Sequence, residues 1–162
     1  MSTLKNAYAL VIGTNFDQEA PLPEVEQDAK DIYDILINEE YCGYDPKNVT
    51  LLLNEAATHD AIIQALDNLV KKTDKNSSVL FFYSGHGGHS NEGNSSLIPY
   101  DYDTKNGRNS ISGKVFREKL SALKSKRKVV LLDCCHSGGL FSADHKTIIS
   151  EAEKKKIAKQ RE

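Results

Sequence analysis

No stretch of this chain approaches the roughly 18 to 20 consecutive apolar residues that a helix needs to cross a bilayer. Met1 to Asn6 also lack the charged-then-apolar pattern of a secretory signal. Neither a membrane span nor an exported precursor is expected. An excess of one charge sign is missing too. The formal net charge is -2 over 162 residues, so bulk composition asks for neither nucleic acid nor an anionic membrane. Cysteine is scarce: three in all, two of them adjacent at 134 and 135. An odd count with a vicinal pair builds no disulfide framework and fits reduced thiols in a cytoplasmic protein. There is no internal repeat and no low-complexity segment. The Gly-x-Ser-x-Gly string of α/β hydrolases is absent, which removes support for an esterase-type reading. His86, His89, Cys134, Cys135 and His136 suggest zinc, but no paired Cys-x-x-Cys or His-x-x-x-His accompanies them, and no metal site is expected.

What is present is an alternation. Tyr8 to Gly13 is an apolar run that reads as a buried strand, followed by a loop reaching Pro23. From Val25, apolar Ala29, Ile32, Ile35 and Leu36 recur at helical spacing, predicting a helix to about Glu40. Val49 to Leu53 predicts a second strand. Thr58 can cap a helix with Ile62, Ile63, Leu66, Leu69 and Val70 on one face, ending near Thr73. Val79 to Tyr83 predicts a third strand. The Gly, Ser and Asn stretch from His89 to Ser96 predicts a loop, and Pro99 excludes a central strand at Leu97 to Pro99. Ser112 can cap a helix carrying Val115, Phe116, Leu120 and Leu123, and Val129 to Leu132 predicts a last, buried strand. Such alternation argues for an α/β domain: a mainly parallel sheet with helices on both faces. The length suits one domain, expected over 1–142. The charged segment 143–162 reads as a linker or surface helix.

Two strand ends carry the chemistry. One runs into Ser84-Gly85-His86-Gly87, the other into Asp133-Cys134-Cys135-His136-Ser137-Gly138. Right-handed crossovers bring the C-terminal ends of parallel strands to one edge, where α/β proteins place their sites. A free thiol near pKa 8.5 is only about 3% ionised at pH 7. A catalytic cysteine therefore needs a base, and an imidazole can take the proton and later return it to the leaving group. His86 and Cys135 are the expected base and nucleophile. The backbone N–H groups of Gly87 and Cys135 are the expected oxyanion donors.

These strings resemble the caspase-like cysteine peptidases, in particular the metacaspase and bacterial orthocaspase branch. The carriers are Tyr8 to Gly13, the Asp28 helix, Tyr83 to Gly87, and Asp133 to Gly138; together they cover roughly 7–141, the family's large subunit. His86 and Cys135 stand 49 positions apart, close to the roughly 50 that separate the caspase histidine and cysteine. The resemblance implies a caspase–haemoglobinase-like fold and assigns attack to Cys135 rather than Cys134. It also places Asp133, Asp28 and Ser84 in a pocket for a basic side chain. Carboxylates suit Arg or Lys and repel Asp, so cleavage after Arg or Lys is expected. Protein or peptide substrates with those residues are the expected partners.

Departures from the family pattern carry expectations of their own. Asp101 and Asp103 can stand for the first acid group of calcium-activated metacaspases. The second acid pair falls on Gly113 and Lys114, so no cofactor and no calcium dependence are expected. Val25 replaces a frequent cysteine. The family's C-terminal small subunit is not in this sequence: either the sequence is the large subunit alone, or the small subunit is expected as a separate partner chain released by processing. Lys154, Lys155, Lys156, Lys159 and Arg161 read as a solvated face, and also as a segment that an Arg/Lys-directed peptidase cuts in itself.

Plainer readings stand beside these. Asp133 can cap strand-end N–H groups, Asp28 can be a solvated helix carboxylate, and Ser84 a turn residue. A different class also remains: a catalytically silent caspase-like scaffold or signalling module whose cleft binds protein partners without turnover.

Overall fold

The computed structural model describes residues 4–16, 21–89, 95–135 and 137–141. The segment 143–162, with its basic run, lies outside them, as does His136.

Four apolar runs make one parallel sheet: β1 (Ala7–Thr14), β2 (Val49–Leu53), β3 (Ser78–Gly85) and β7 (Arg127–Asp133), in the order β2-β1-β3-β7. Side chains along a strand alternate between faces, and the two faces here bury different sets. Leu10, Ile12, Phe81 and Tyr83 meet Ile62, Leu66 and Leu69 of α2 (His59–Lys72) and Phe116 of α3 (Gly113–Ala122). Ala9, Val11 and Phe82 meet Ala29 and Leu36 of α1 (Val25–Ile37) on the other face. Each large apolar side chain buried in this way contributes about 1.5–3 kcal/mol. Helices therefore cover both faces. Among the described residues, none is long and apolar enough to cross a membrane.

The predicted caps form. Thr58 accepts the Ala61 N–H at 3.3 Å and Ser112 accepts the Val115 N–H at 3.3 Å. α1 stops at Ile37, short of the predicted Glu40. Asn38 turns extended (ψ 123°), and its side chain instead accepts the Glu40 N–H at 2.8 Å. A short polar side chain that bonds its own backbone competes with the helix at that point.

Two expectations are corrected. The stretch read as a loop from His89 to Ser96 contains strand: β4 (Gly87–His89), β5 (Ser95–Leu97) and β6 (Ile111–Ser112) pair antiparallel in a small second sheet. The last strand, read as buried, is an edge strand among the described residues. There β7 pairs with β3 alone, and Val129 and Leu131 are 51% and 43% exposed. They register with Leu80 and Phe82, on the α1 face, but α1 covers the part of the sheet nearer β1.

Candidate active site

The sheet's geometry explains why three polar residues far apart in sequence meet. Gly13, Ser84 and Asp133 occupy one register row across β1, β3 and β7, and residues paired across parallel strands share a face. Tyr83 points into the α2/α3 core, so Ser84 points to the α1 side. A Cβ on Gly13 would collide with the Val25 carbonyl oxygen and lie 2.7 Å from Ala29 Cβ. Glycine at this point lets the first turn of α1 settle onto the strand. That approach brings Asp28 beside the sheet, where the Ser84 hydroxyl donates to its Oδ2 at 3.3 Å.

The result is a cleft of about 440 Å³ lined by Leu22, Glu24, Val25, Asp28, Ser84, Gly85, Asp133, Cys134 and Cys135. Among the described residues its ionisable walls, thiols aside, are all carboxylates: Glu24, Asp28 and Asp133, and no lysine, arginine or histidine lines it. Asp28, Ser84, Asp133 and Cys135, singled out from sequence, share this space. Glu24 and Leu22 were not anticipated, because the segment before α1 has no period to place it. Glu24 is the helix N-cap residue, yet its side chain makes no cap hydrogen bond.

β7 ends at Asp133, and the chain bends so that the two thiols differ. Cys135 is exposed, while Cys134 is half-buried against the α2/α3 core. Burial, reinforced by the Cys135 thiol and the Asp133 carboxylate, pushes the Cys134 thiol up to about 11. At pH 8 only about 0.1% of such a thiol is ionised. Iodoacetamide at pH 8 is accordingly expected to alkylate Cys135 at least about tenfold faster than Cys134, followed by peptide mass spectrometry. Matching rates would show that Cys134 is not protected.

His86 lies one residue past β3. The Phe16 ring meets its imidazole edge-on, with centroids 5.0 Å apart at 79°, and Tyr102 meets Phe16 in turn at 5.5 Å. Phe16 sits in a segment that reads only as loop, and an aromatic in such a segment was the available signal. The His86 backbone is fixed from beneath. The fully buried Tyr83 hydroxyl lies 2.8 Å from the His86 carbonyl oxygen and 2.9 Å from that of Ile98, sharing its proton between them. Burial holds this phenol far above its usual range, so it acts only as a neutral hydrogen-bonding group. The next residue, Gly87, packs directly on the end of β7: a Cβ there would strike the Cys135 carbonyl oxygen. The backbones of Gly87 and Cys135 are thus in contact, and His86 and Cys135 flank that junction.

Asp101 and Asp103 are not in the cleft. Asp101 accepts the His59 N–H at 2.7 Å and the Asn109 amide at 3.0 Å. Asp103 accepts the N–H groups of Lys105 and Asn106 and the Asn106 amide. Asp101 thus ties the start of α2 to the loop before α3, and Asp103 serves that loop itself. Among the described residues no group of three or more His, Cys, Asp or Glu is placed to hold a metal ion.

Residues 6–162 match the family model described as the caspase domain. The chain belongs to the caspase-domain family. Its curated relatives include Metacaspase-1 of Candida glabrata, 28% identical over 151 residues, covering 80% of this chain and 36% of the relative. Metacaspase-8 of Arabidopsis thaliana is 30% identical over 162 residues, covering 93% of this chain and 42% of the relative. This caspase-domain chain therefore spans less than half the length of either. A solved protein of Geobacter sulfurreducens superposes with a TM-score of 0.66 at 25% identity, over 82% of this chain and 51% of that one. The α/β architecture is accordingly of the caspase–haemoglobinase-like type.

Proposed function

We propose that this chain, over 1–142, is the catalytic part of a cysteine endopeptidase that hydrolyses peptide bonds after Arg or Lys. One observation carries the reading: an exposed cysteine opens onto a cleft whose charged walls, among the described residues, are all carboxylates. The side chain preceding the cut bond enters that cleft, where Asp28 and Asp133 pair with its cation and Ser84 holds Asp28 in place. His86 takes the Cys135 Sγ proton, and the thiolate attacks the carbonyl carbon. The N–H groups of Gly87 and Cys135 receive the oxyanion. His86 returns the proton to the departing amine, and water then hydrolyses the thioester.

The β7 edge supports a partner. Among the described residues no strand pairs with its outer side, beside exposed Val129 and Leu131; such an edge suits added strands, and we assign that place to a small subunit. Three unpaired thiols favour a reducing, cytoplasmic setting. Calcium is not required in this reading: the Asp101 carboxylate accepts the first N–H of α2, the Asp103 carboxylate accepts loop N–H groups, and Lys114 stands at the start of α3. Segment 143–162 is then a charged extension open to self-cleavage.

A panel of fluorogenic peptides ending in Arg, Lys or Asp, run with and without calcium on the full-length protein, tests this. Turnover of the Arg and Lys peptides only, equal in both conditions, is the expected result. Preference for Asp would overturn the specificity, and no turnover of any peptide would favour the silent scaffold.

A further inference from the structure

The tip of β2 is where the fold ties the two halves of this site together. Asn54 follows β2 with φ 41°, a left-handed conformation that asparagine tolerates better than other residues bearing a Cβ. Its side chain faces two directions at once. Oδ1 accepts the Asn15 N–H at 3.2 Å, and Nδ2 donates to Glu26 Oε2 at 2.6 Å. The other Glu26 oxygen, Oε1, takes Lys30 Nζ at 2.5 Å within α1. Asn15 precedes Phe16, the ring that meets His86. Glu26 stands in the first turn of α1, two residues before Asp28. One amide therefore holds both ends of the connection between β1 and α1. One end buttresses the imidazole, and the other carries the acid of the cleft.

We propose that Asn54 is a positioning residue that sets the spacing between the His86 side and the Asp28 side of the active site. The inference rests on the reading of His86 as base and Asp28 as a reader of basic side chains. The role needs an acceptor and a donor on two separate atoms of one short side chain, which the asparagine amide supplies, at a backbone position that also favours Asn. Aspartate keeps the acceptor for Asn15 but turns a carboxylate toward Glu26. Glycine keeps the backbone and removes both bonds.

Three variants of the full-length protein separate these effects. Asn54→Asp is expected to raise KM for an Arg peptide about tenfold while kcat stays within twofold, because only the α1 tether is lost. Adding Glu26→Gln gives the carboxylate a donor again, and KM should return to within threefold of the parent. Asn54→Gly is expected to lower kcat as well. It should also shift the pH midpoint of Cys135 alkylation by iodoacetamide, which Asn54→Asp leaves in place. A purely structural residue would lower the urea midpoint without moving the KM–kcat split or the alkylation profile. Unchanged KM in Asn54→Asp, no rescue by Glu26→Gln, or one alkylation profile for all variants would overturn the proposal. If the parent itself cuts no Arg peptide, the function reading fails. The alkylation profiles then decide the inference alone: a midpoint moved by Asn54→Gly and not by Asn54→Asp upholds it.

Discussion

Replacing Cys135 with alanine is expected to lower cleavage of an Arg peptide by roughly 10³-fold or more. The substitution removes the atom that bonds to the carbonyl carbon, and its neighbour cannot take over. Cys134 sits half-buried against the α2/α3 core with its thiol pushed up to about 11, so at neutral pH it stays protonated. A chain with Cys134→Ala instead should keep most of its activity, since that thiol neither attacks nor reads charge. The pair of variants, assayed side by side for initial rate, distinguishes the two thiols. Equal turnover by parent and Cys135→Ala would remove the nucleophile from the mechanism.

Asp133→Asn should cost kcat/KM for an Arg peptide roughly 30-fold, and for the neutral citrulline analogue no more than about twofold. The asparagine keeps the volume of the cleft wall and removes only a charge. The size follows from the site's arrangement. In the proposed pocket a guanidinium leaves water and is compensated by the charge-assisted hydrogen bonds it donates to Asp28 and Asp133. Losing one of two carboxylates removes part of that compensation, whereas a neutral side chain never depended on it. An equal loss for both peptides would mean that Asp133 supports the fold of the strand end and does not read the substrate.

Much of this was legible in the chain itself. Strands β1, β2 and β3 announce themselves as apolar runs, and Thr58 and Ser112 mark their helices because a side-chain oxygen must meet the first free N–H groups. The shared location of Asp28, Ser84, Asp133 and Cys135 follows once the sheet is parallel. The small second sheet was hidden for a physical reason. Its strands are two or three residues long, rich in Gly and Ser, with no intrinsic preference to signal. They are held by pairing and by Tyr83, whose partners lie at His86 and Ile98. Edge status was also invisible for β7: its apolar run looks the same whether a neighbour covers it or not. Phe16, Glu24 and Asn54 act through tertiary position alone, which no local pattern encodes.

The register row of Gly13, Ser84 and Asp133 also bears on folding order. Its members come from strands separated by long crossovers, and such non-local pairing is slow compared with helix formation. β7 is the last of these strands in the sequence, and it delivers Asp133 and Cys135 together as it docks on β3. Before that step the chain has neither Cys135 in place nor a complete acidic cleft. The cleft is thus completed only when β7 closes the parallel sheet: Asp28 and Ser84 can meet on α1 and β3 before then, but Asp133 and Cys135 join them only with that step.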